Sequence, residues 1–230
     1  MTNPDQPIGP DNFVPEDSAT FERIIEELKV AARELDGLPP AVTVFGSARS
    51  DQESWEARTA ETVGAWLAAA SIPVITGGGP GVMQAANRGA ATQQGLSVGL
   101  NIKLPMEQHP NPFINRHVEF RYFLTRKYFL TRYSFGFAVF PGGFGTMDEL
   151  FELLVLYNTN RTERRPIVLV GEAYWADLIT WLMDFQGGRG YVDPEDLGYL
   201  QVFDEPEAIV TALIGHERTQ AAAQRLAGLL

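Results

Sequence analysis

The residues best suited to chemistry lie in Phe140-Pro-Gly-Gly-Phe-Gly-Thr-Met-Asp-Glu149. An apolar run ends at Phe140, and Gly142, Gly143 and Gly145 let the backbone approach a ligand closely. The spacing predicts a helix opening at Thr146. Its free first-turn N–H groups, with the Thr146 hydroxyl, make a phosphate site. Asp148 and Glu149 then fall in the first turn, on or beside that site. A phosphate cradle with a carboxylate one turn away suits binding a phosphorylated sugar and acting on its ring. The plainer reading is that the two carboxylates only complement the helix dipole.

Two more turns carry related signals. Thr76-Gly-Gly-Gly-Pro-Gly-Val-Met83 also follows a strand and opens a helix, with Gly78, Gly79 and Met83 as candidate ligand contacts. It matches neither GxGxxG nor a Walker loop. A dinucleotide site wants an acid at the end of the next strand. Here that strand ends at Leu100-Asn101, and no acid follows before Glu107. NAD and ATP are therefore disfavoured, and a mononucleotide or sugar phosphate fits better. In Gly46-Ser-Ala-Arg49, Gly46 and Ser47 are candidate contacts and Arg49 can reach a phosphate. Both segments also read simply as tight turns. Between 116 and 132, Arg116, Arg121, Arg126, Lys127 and Arg132 face a single acid, Glu119, just ahead of the strand that feeds the phosphate turn. Arg126 and Lys127 are neighbours on a helix and point in different directions, so at most one faces a substrate squarely.

These turns need elements to hold them. Helical stripes and caps predict helices over 18–36, 52–70, 82–94, 123–133, 145–157, 174–185, 205–214 and 216–230. Short apolar runs predict strands at 41–45, 72–75, 96–100, 118–122, 135–140, 167–170 and 202–203. Phe21, Ile24, Ile25, Leu28 and Leu35 form the stripe of the first helix, and Trp55, Trp66, Trp175 and Trp181 are expected in the core. Residues 103–115 hold three prolines and form a loop. Strands alternating with helices predict an α/β fold: a single Rossmann-like domain over 18–230, mostly parallel, with helices on both faces of the sheet. Ligands of such sheets bind beyond the carboxyl ends of the strands, where the three glycine turns fall. Residues 1–17, with four prolines and three aspartates, read as a flexible N-terminal arm.

Composition removes several function classes. The chain has 230 residues, 18 basic and 29 acidic, and a net charge of −11, which disfavours a nucleic-acid partner. There is no cysteine, which excludes disulfides, thiol catalysis and cysteine-ligated metal. His109, His117 and His216 form no ligand pair, and Lys29, Lys103 and Lys127 lie in no pyridoxal-phosphate context. No metal and no cofactor is expected. No apolar run approaches a membrane span and no targeting segment is visible, so the expectation is a cytoplasmic protein with no membrane partner.

The pattern PGGxGTxxE at Pro141 to Glu149, the upstream Arg126-Lys127 pair and the turn Gly77 to Met83 together resemble the Lonely Guy (LOG) family, cytokinin riboside 5′-monophosphate phosphoribohydrolases with broader nucleotide-nucleosidase relatives. The resemblance runs from about Ala41 to Leu213 and fits the longer subgroup, some of whose members were once labelled lysine decarboxylases. It implies Glu149 and Arg126 as catalytic residues, Lys127 as the paired lysine, and Gly142 to Thr146 as the phosphate cradle. Glu107, in Leu104-Pro-Met-Glu107, looks like the family's substrate contact. Leu154 stands where the family often places a hydroxyl, and the loop 105–117 looks unlike that of the short members. The implied reaction hydrolyses the N-glycosidic bond of a nucleoside 5′-monophosphate, AMP or an N6-modified AMP, giving free base and ribose 5-phosphate, with a place in cytokinin production. The family also implies a homodimer or higher homo-oligomer, with helices 123–133 and 145–157 as the candidate interface. The rival reading is a carrier that binds a nucleotide or a molybdenum cofactor without hydrolysing it.

Overall fold

The computed structural model describes residues 18–104 and 109–228; the expected N-terminal arm lies outside them. Seven strands form one sheet: β1 (Ala41–Phe45), β2 (Val74–Thr76), β3 (Ser97–Ile102), β4 (Arg116–Phe120), β5 (Ser134–Val139), β6 (Ile167–Val170) and β7 (Leu200–Phe203). The order is β4-β3-β2-β1-β5-β6-β7, and every pairing is parallel. The helices are α1 (Ser18–Glu34), α2 (Trp55–Ala69), α3 (Val82–Thr92), α4 (Phe123–Arg132), α5 (Phe144–Asn158), α6 (Glu172–Trp181), α7 (Pro194–Leu197), α8 (Pro206–Ile214) and α9 (His216–Ala227).

Every residue of β1 and β6 is buried, as expected of strands covered on both faces. Alternation along the strands divides the core in two. Val42, Val44, Ala138, Phe140, Val168 and Val170 pack with α2, α3 and α8. Phe45, Phe137, Val139, Ile167 and Leu169 pack with α1, α4 and α5 on the other face. The fold is thus the expected Rossmann-like α/β arrangement, entirely rather than mostly parallel. β1 and β5 lie side by side, and the chain leaves them toward opposite edges of the sheet. That reversal opens a crevice at their carboxyl ends.

Three backbone bonds fix the crevice. Phe140 N–H donates to Phe45 C=O (2.9 Å), Ser47 N–H to Pro141 C=O (3.0 Å), and Val82 N–H to Ser47 C=O (3.0 Å). They tie the turns after β1, β2 and β5 together. Gly81 makes the last bond possible. It sits at φ +66°, and a Cβ there would lie 2.2 Å from Ser47 C=O oxygen.

Several sequence expectations shift. Strands β2, β3 and β4 sit up to two residues from their predicted places, and α6 continues into a π-helical turn, Leu182–Gly187. The stripe of α1 is buried only in its later turns. Ala31 and Leu35 enter the core, whereas Phe21 and Ile25 are exposed. Trp175 is fully buried and Trp66 packs at the core margin, but Trp55 and Trp181 are 46% and 44% exposed. Trp55 opens α2, and Trp181 stands where α6 passes into the π-helical turn. Among the described residues, no helix is long and apolar enough to cross a membrane.

Gly81→Ala should destabilise the chain by about 2 kcal/mol or more, because it adds a left-handed alanine and a backbone collision. The expected melting temperature falls by at least about 4 °C, read by circular dichroism. An unchanged melt would show that the turn relaxes freely.

Candidate functional site

A cavity of about 680 Å³ opens at the carboxyl ends of β1 and β5. The β1 turn lines it with Gly46, Ser47 and Arg49, and the β2 turn with Gly77 and Met83. Gly142, Gly143, Gly145 and Thr146 form its floor, and Arg126 and Glu149 close one side. The structure therefore brings together most of the residues singled out from three separate turns and one basic helix.

Helix α5 opens two residues earlier than the sequence predicts, at Phe144 with Gly143 as its N-cap. Asp148 and Glu149 consequently stand in the second turn, so the carboxylates do not simply complement the helix start. The first helical bonds run from Thr146 and Met147 N–H to Gly143 C=O (3.0 and 3.1 Å). The amides of Phe144 and Gly145 head the helix without intrahelical acceptors and face an anion favourably. Gly143 has φ −85°, which any residue adopts. A Cβ on Gly143 or Gly145 would meet nothing within 4 Å. Neither packing nor backbone conformation accounts for these two glycines, whereas space for a ligand over the helix start does. Tyr174 of α6 supports the floor from outside, donating its hydroxyl to Gly142 C=O (2.7 Å).

Glu149 is 4% exposed and lies beside Arg126, with Nη2 3.5 Å from Oε1. Burial pushes its carboxyl up to about 7, against the attraction of Arg126 and Lys127 and with a further push from Glu152 and Asp148. Burial likewise lowers the Arg126 guanidinium, against Glu149 and Asp148. Oε2 of Glu149 and Nε of Arg126 are buried without hydrogen-bond partners. Arg126 also lies 5.3 Å from the ring centroid of Phe123, three residues earlier on the same helical face. The pair is a carboxyl poised near neutrality and a cation, each with a free polar atom.

Other candidates stand elsewhere. Lys127 does not line the cavity. Its Nζ is held by Asp148 Oδ1 (2.9 Å) and Glu152 Oε2 (2.8 Å), so Arg126 alone of the adjacent pair faces inward. Gly78 and Gly79 also lie outside the lining; they pack against Asn101 and Met83, while the preceding Gly77 lines the cavity. Leu154 packs at the core margin, away from the cavity. Glu107 lies outside the described residues. Sequence reasoning missed Phe123, although its spacing from Arg126 puts both on one helix face. It also passed over Ile102, the last residue of β3, and Leu104 just beyond it, which both enter the lining.

Fold and site together define a parallel α/β protein with a glycine-floored cavity at a helix start and a buried Arg–Glu pair. The family model described as possible lysine decarboxylase matches residues 83–213, and the chain belongs to this family, the LOG family. Among the described residues, no lysine lines the cavity. Over 159 residues the chain is 30% identical to a pyrimidine/purine nucleotide 5′-monophosphate nucleosidase of Escherichia coli K12, covering 65% of this chain and 35% of that protein. The chain thus spans about a third of the length of that relative. Among solved structures, a molybdenum cofactor binding protein from Rippkaea orientalis has a TM-score of 0.54 at 19% identity, over 75% of this chain and 93% of that one. The molybdenum cofactor carrier protein of Chlamydomonas reinhardtii has a TM-score of 0.52 at 21% identity, over 82% and 99%. At such identities the likeness extends to the fold alone.

The raised carboxyl has a thermodynamic signature. The folded state holds the Glu149 proton up to about pH 7, whereas the unfolded chain releases it near the ordinary glutamate value of 4.5. The folded chain binds more protons between those values, so stability falls as pH rises through that window. Glu149→Gln should therefore raise the melting temperature more at pH 8 than at pH 5. An equal change at both would place the ionisation elsewhere.

Proposed function

We propose that this chain hydrolyses the N-glycosidic bond of a nucleoside 5′-monophosphate, with AMP or an N6-modified AMP as substrate, giving free base and ribose 5-phosphate. One observation carries the reading: the buried Arg126–Glu149 pair stands beside a glycine-floored helix start with room for a phosphate. The nucleosidase similarity supports the same chemistry.

The 5′-phosphate binds over the amides of Phe144 and Gly145, with Thr146 and Ser47 supplying hydroxyls. That remote binding energy fixes the ribose above Glu149. The C1′–N bond breaks with oxocarbenium character, and ionised Glu149 stabilises the positive charge and takes a proton from the attacking water. The oxygen of that water becomes the C1′ hydroxyl, and the proton taken by Glu149 passes to the departing base, which restores the carboxylate. Arg126 orients Glu149 and stabilises the leaving base. We further propose a homodimer or higher homo-oligomer formed through α4 and α5, whose Phe123, Leu124, Tyr128, Phe151 and Val155 are exposed apolar residues.

Purified protein incubated with AMP and N6-isopentenyl-AMP should release base and ribose 5-phosphate, read by chromatography. Glu149→Gln should lower turnover by about 100-fold or more. Arg126→Ala should cost about 10–150-fold, corresponding to one charge-assisted bond. Because the ionised carboxylate acts, kcat/KM should rise with pH through about 7. Tight nucleotide binding without base release would instead make the chain a carrier.

The oligomer has its own test. Leu124→Glu with Val155→Glu should shift the mass measured by light scattering to that of one chain. A single-chain mass for the unaltered protein would exclude the oligomer.

A further inference from the structure

Helix α4 carries Arg126 and Phe123 into the cavity, yet apolar burial holds it weakly. Within it only Thr125, Phe129 and Leu130 are buried. Polar anchors do the rest. At its carboxyl end, Leu130 C=O accepts from Thr43 Oγ1 (3.0 Å) and Ser134 Oγ (3.1 Å), and Thr131 C=O accepts from Arg165 Nη1 (2.9 Å).

At the amino end the helix's own polar bond is local, from the Thr125 hydroxyl to Tyr122 C=O (2.7 Å). The N-cap is Tyr122, whose side chain makes no cap bond. A carboxylate from another helix instead holds the two backbone amides that lead into the first turn. Glu27 of α1 accepts from Arg121 N–H (2.7 Å) and Tyr122 N–H (3.3 Å), and from the buried Thr125 hydroxyl. A negative charge at a helix start also meets the positive end of the helix dipole. Arg126, the next residue after Thr125, donates its own N–H to Tyr122 C=O (3.2 Å), the first backbone bond of the helix. The guanidinium therefore projects from the very turn that Glu27 closes.

We propose that Glu27 is a positioning residue: by capping α4 from α1, it holds the Arg126 guanidinium against Glu149. Its part in turnover rests on the hydrolase reading above, whereas its effect on Glu149 does not. The groups bearing on the Glu149 carboxyl are Arg126 and Lys127 from α4, and Asp148 and Glu152 from its own helix. Arg49 lines the same cavity from the β1 turn. Withdrawal of Arg126 removes the largest influence favouring the carboxylate, so Glu149 should hold its proton to higher pH. Loss of the Glu27 charge acting only through space has the opposite sign, because removing a nearby anion favours ionisation.

The test is the Glu149 titration in the ligand-free protein, followed by carbon NMR of labelled glutamate and assigned with Glu149→Gln. In Glu27→Ala the midpoint should move upward from about 7. Glu27→Gln, which keeps the shape and one acceptor, should move it less and provides the comparison if the alanine variant does not fold. With AMP, kcat at pH 7 should fall by about tenfold, with KM changed less than twofold, because the phosphate cradle is untouched. A lowered melting temperature with an unmoved or downward-moved Glu149 midpoint would overturn the proposal and leave Glu27 a structural cap. Absence of hydrolysis by the unaltered protein would overturn the hydrolase reading, while the titration would still decide the role of Glu27.

Discussion

The meeting of β1 and β5 is the constraint on which the rest depends. Their parallel pairing runs from Val42 opposite Gly136 to Phe45 opposite Val139 and continues one step further through Phe140 N–H to Phe45 C=O. Beyond that step neither strand has a partner, and both chains must turn away. The Ser47–Pro141 and Val82–Ser47 bonds convert these departures into a single rim. The β5 turn with its three glycines, the β1 turn and the β2 turn are thereby fixed relative to one another by backbone. Side chains at the rim are left free for chemistry.

Within that frame the Arg126–Glu149 pair is held at a cost. Burial disfavours both charges, and their separation of 3.5 Å is loose for a pair expected to offset it by attraction alone. A pair selected for stability would be closer, with its remaining polar atoms bonded. Instead Oε2 and Nε are left open, a pattern suited to a site completed by its ligand. The outer carboxylates Asp148 and Glu152 are held by Lys127, which keeps two negative charges near Glu149 from standing uncompensated.

The sequence made the architecture legible because the central strands such as β1 and β6 are mainly apolar runs and the glycine turns mark the ends of β1, β2 and β5. Glu149 and Arg126 were marked out by the family resemblance, because a carboxylate near a helix start also has the plain use of complementing the dipole. Position within a turn was harder. Gly77 and Gly78 are chemically identical in sequence, and only the closeness of Asn101 to Gly78 and of the Arg126 guanidinium to Gly77 separates packing from lining. Likewise, adjacency in Arg126-Lys127 showed that the two diverge, but the partners of Lys127 lie on another helix. The start of α5 was misplaced because Phe144, 96% exposed, carries none of the polar capping signals that mark a helix opening. Glu27 was invisible, since an acceptor for a helix 94 residues away looks like any exposed acid of an amphipathic helix.

The separation of the central strands along the chain also bears on how the protein comes into being. Thr43 of β1 meets Ser134 of β5 across 91 residues, and α5 follows β5. The β2, β3 and β4 half of the sheet can pair as it emerges from the ribosome, yet β1 keeps one open edge until β5 arrives. During synthesis a buried, largely apolar strand must therefore wait beside water for about several seconds. The molecule acquires its crevice only when that wait ends, so the same step that removes a sticky edge creates the capacity to bind.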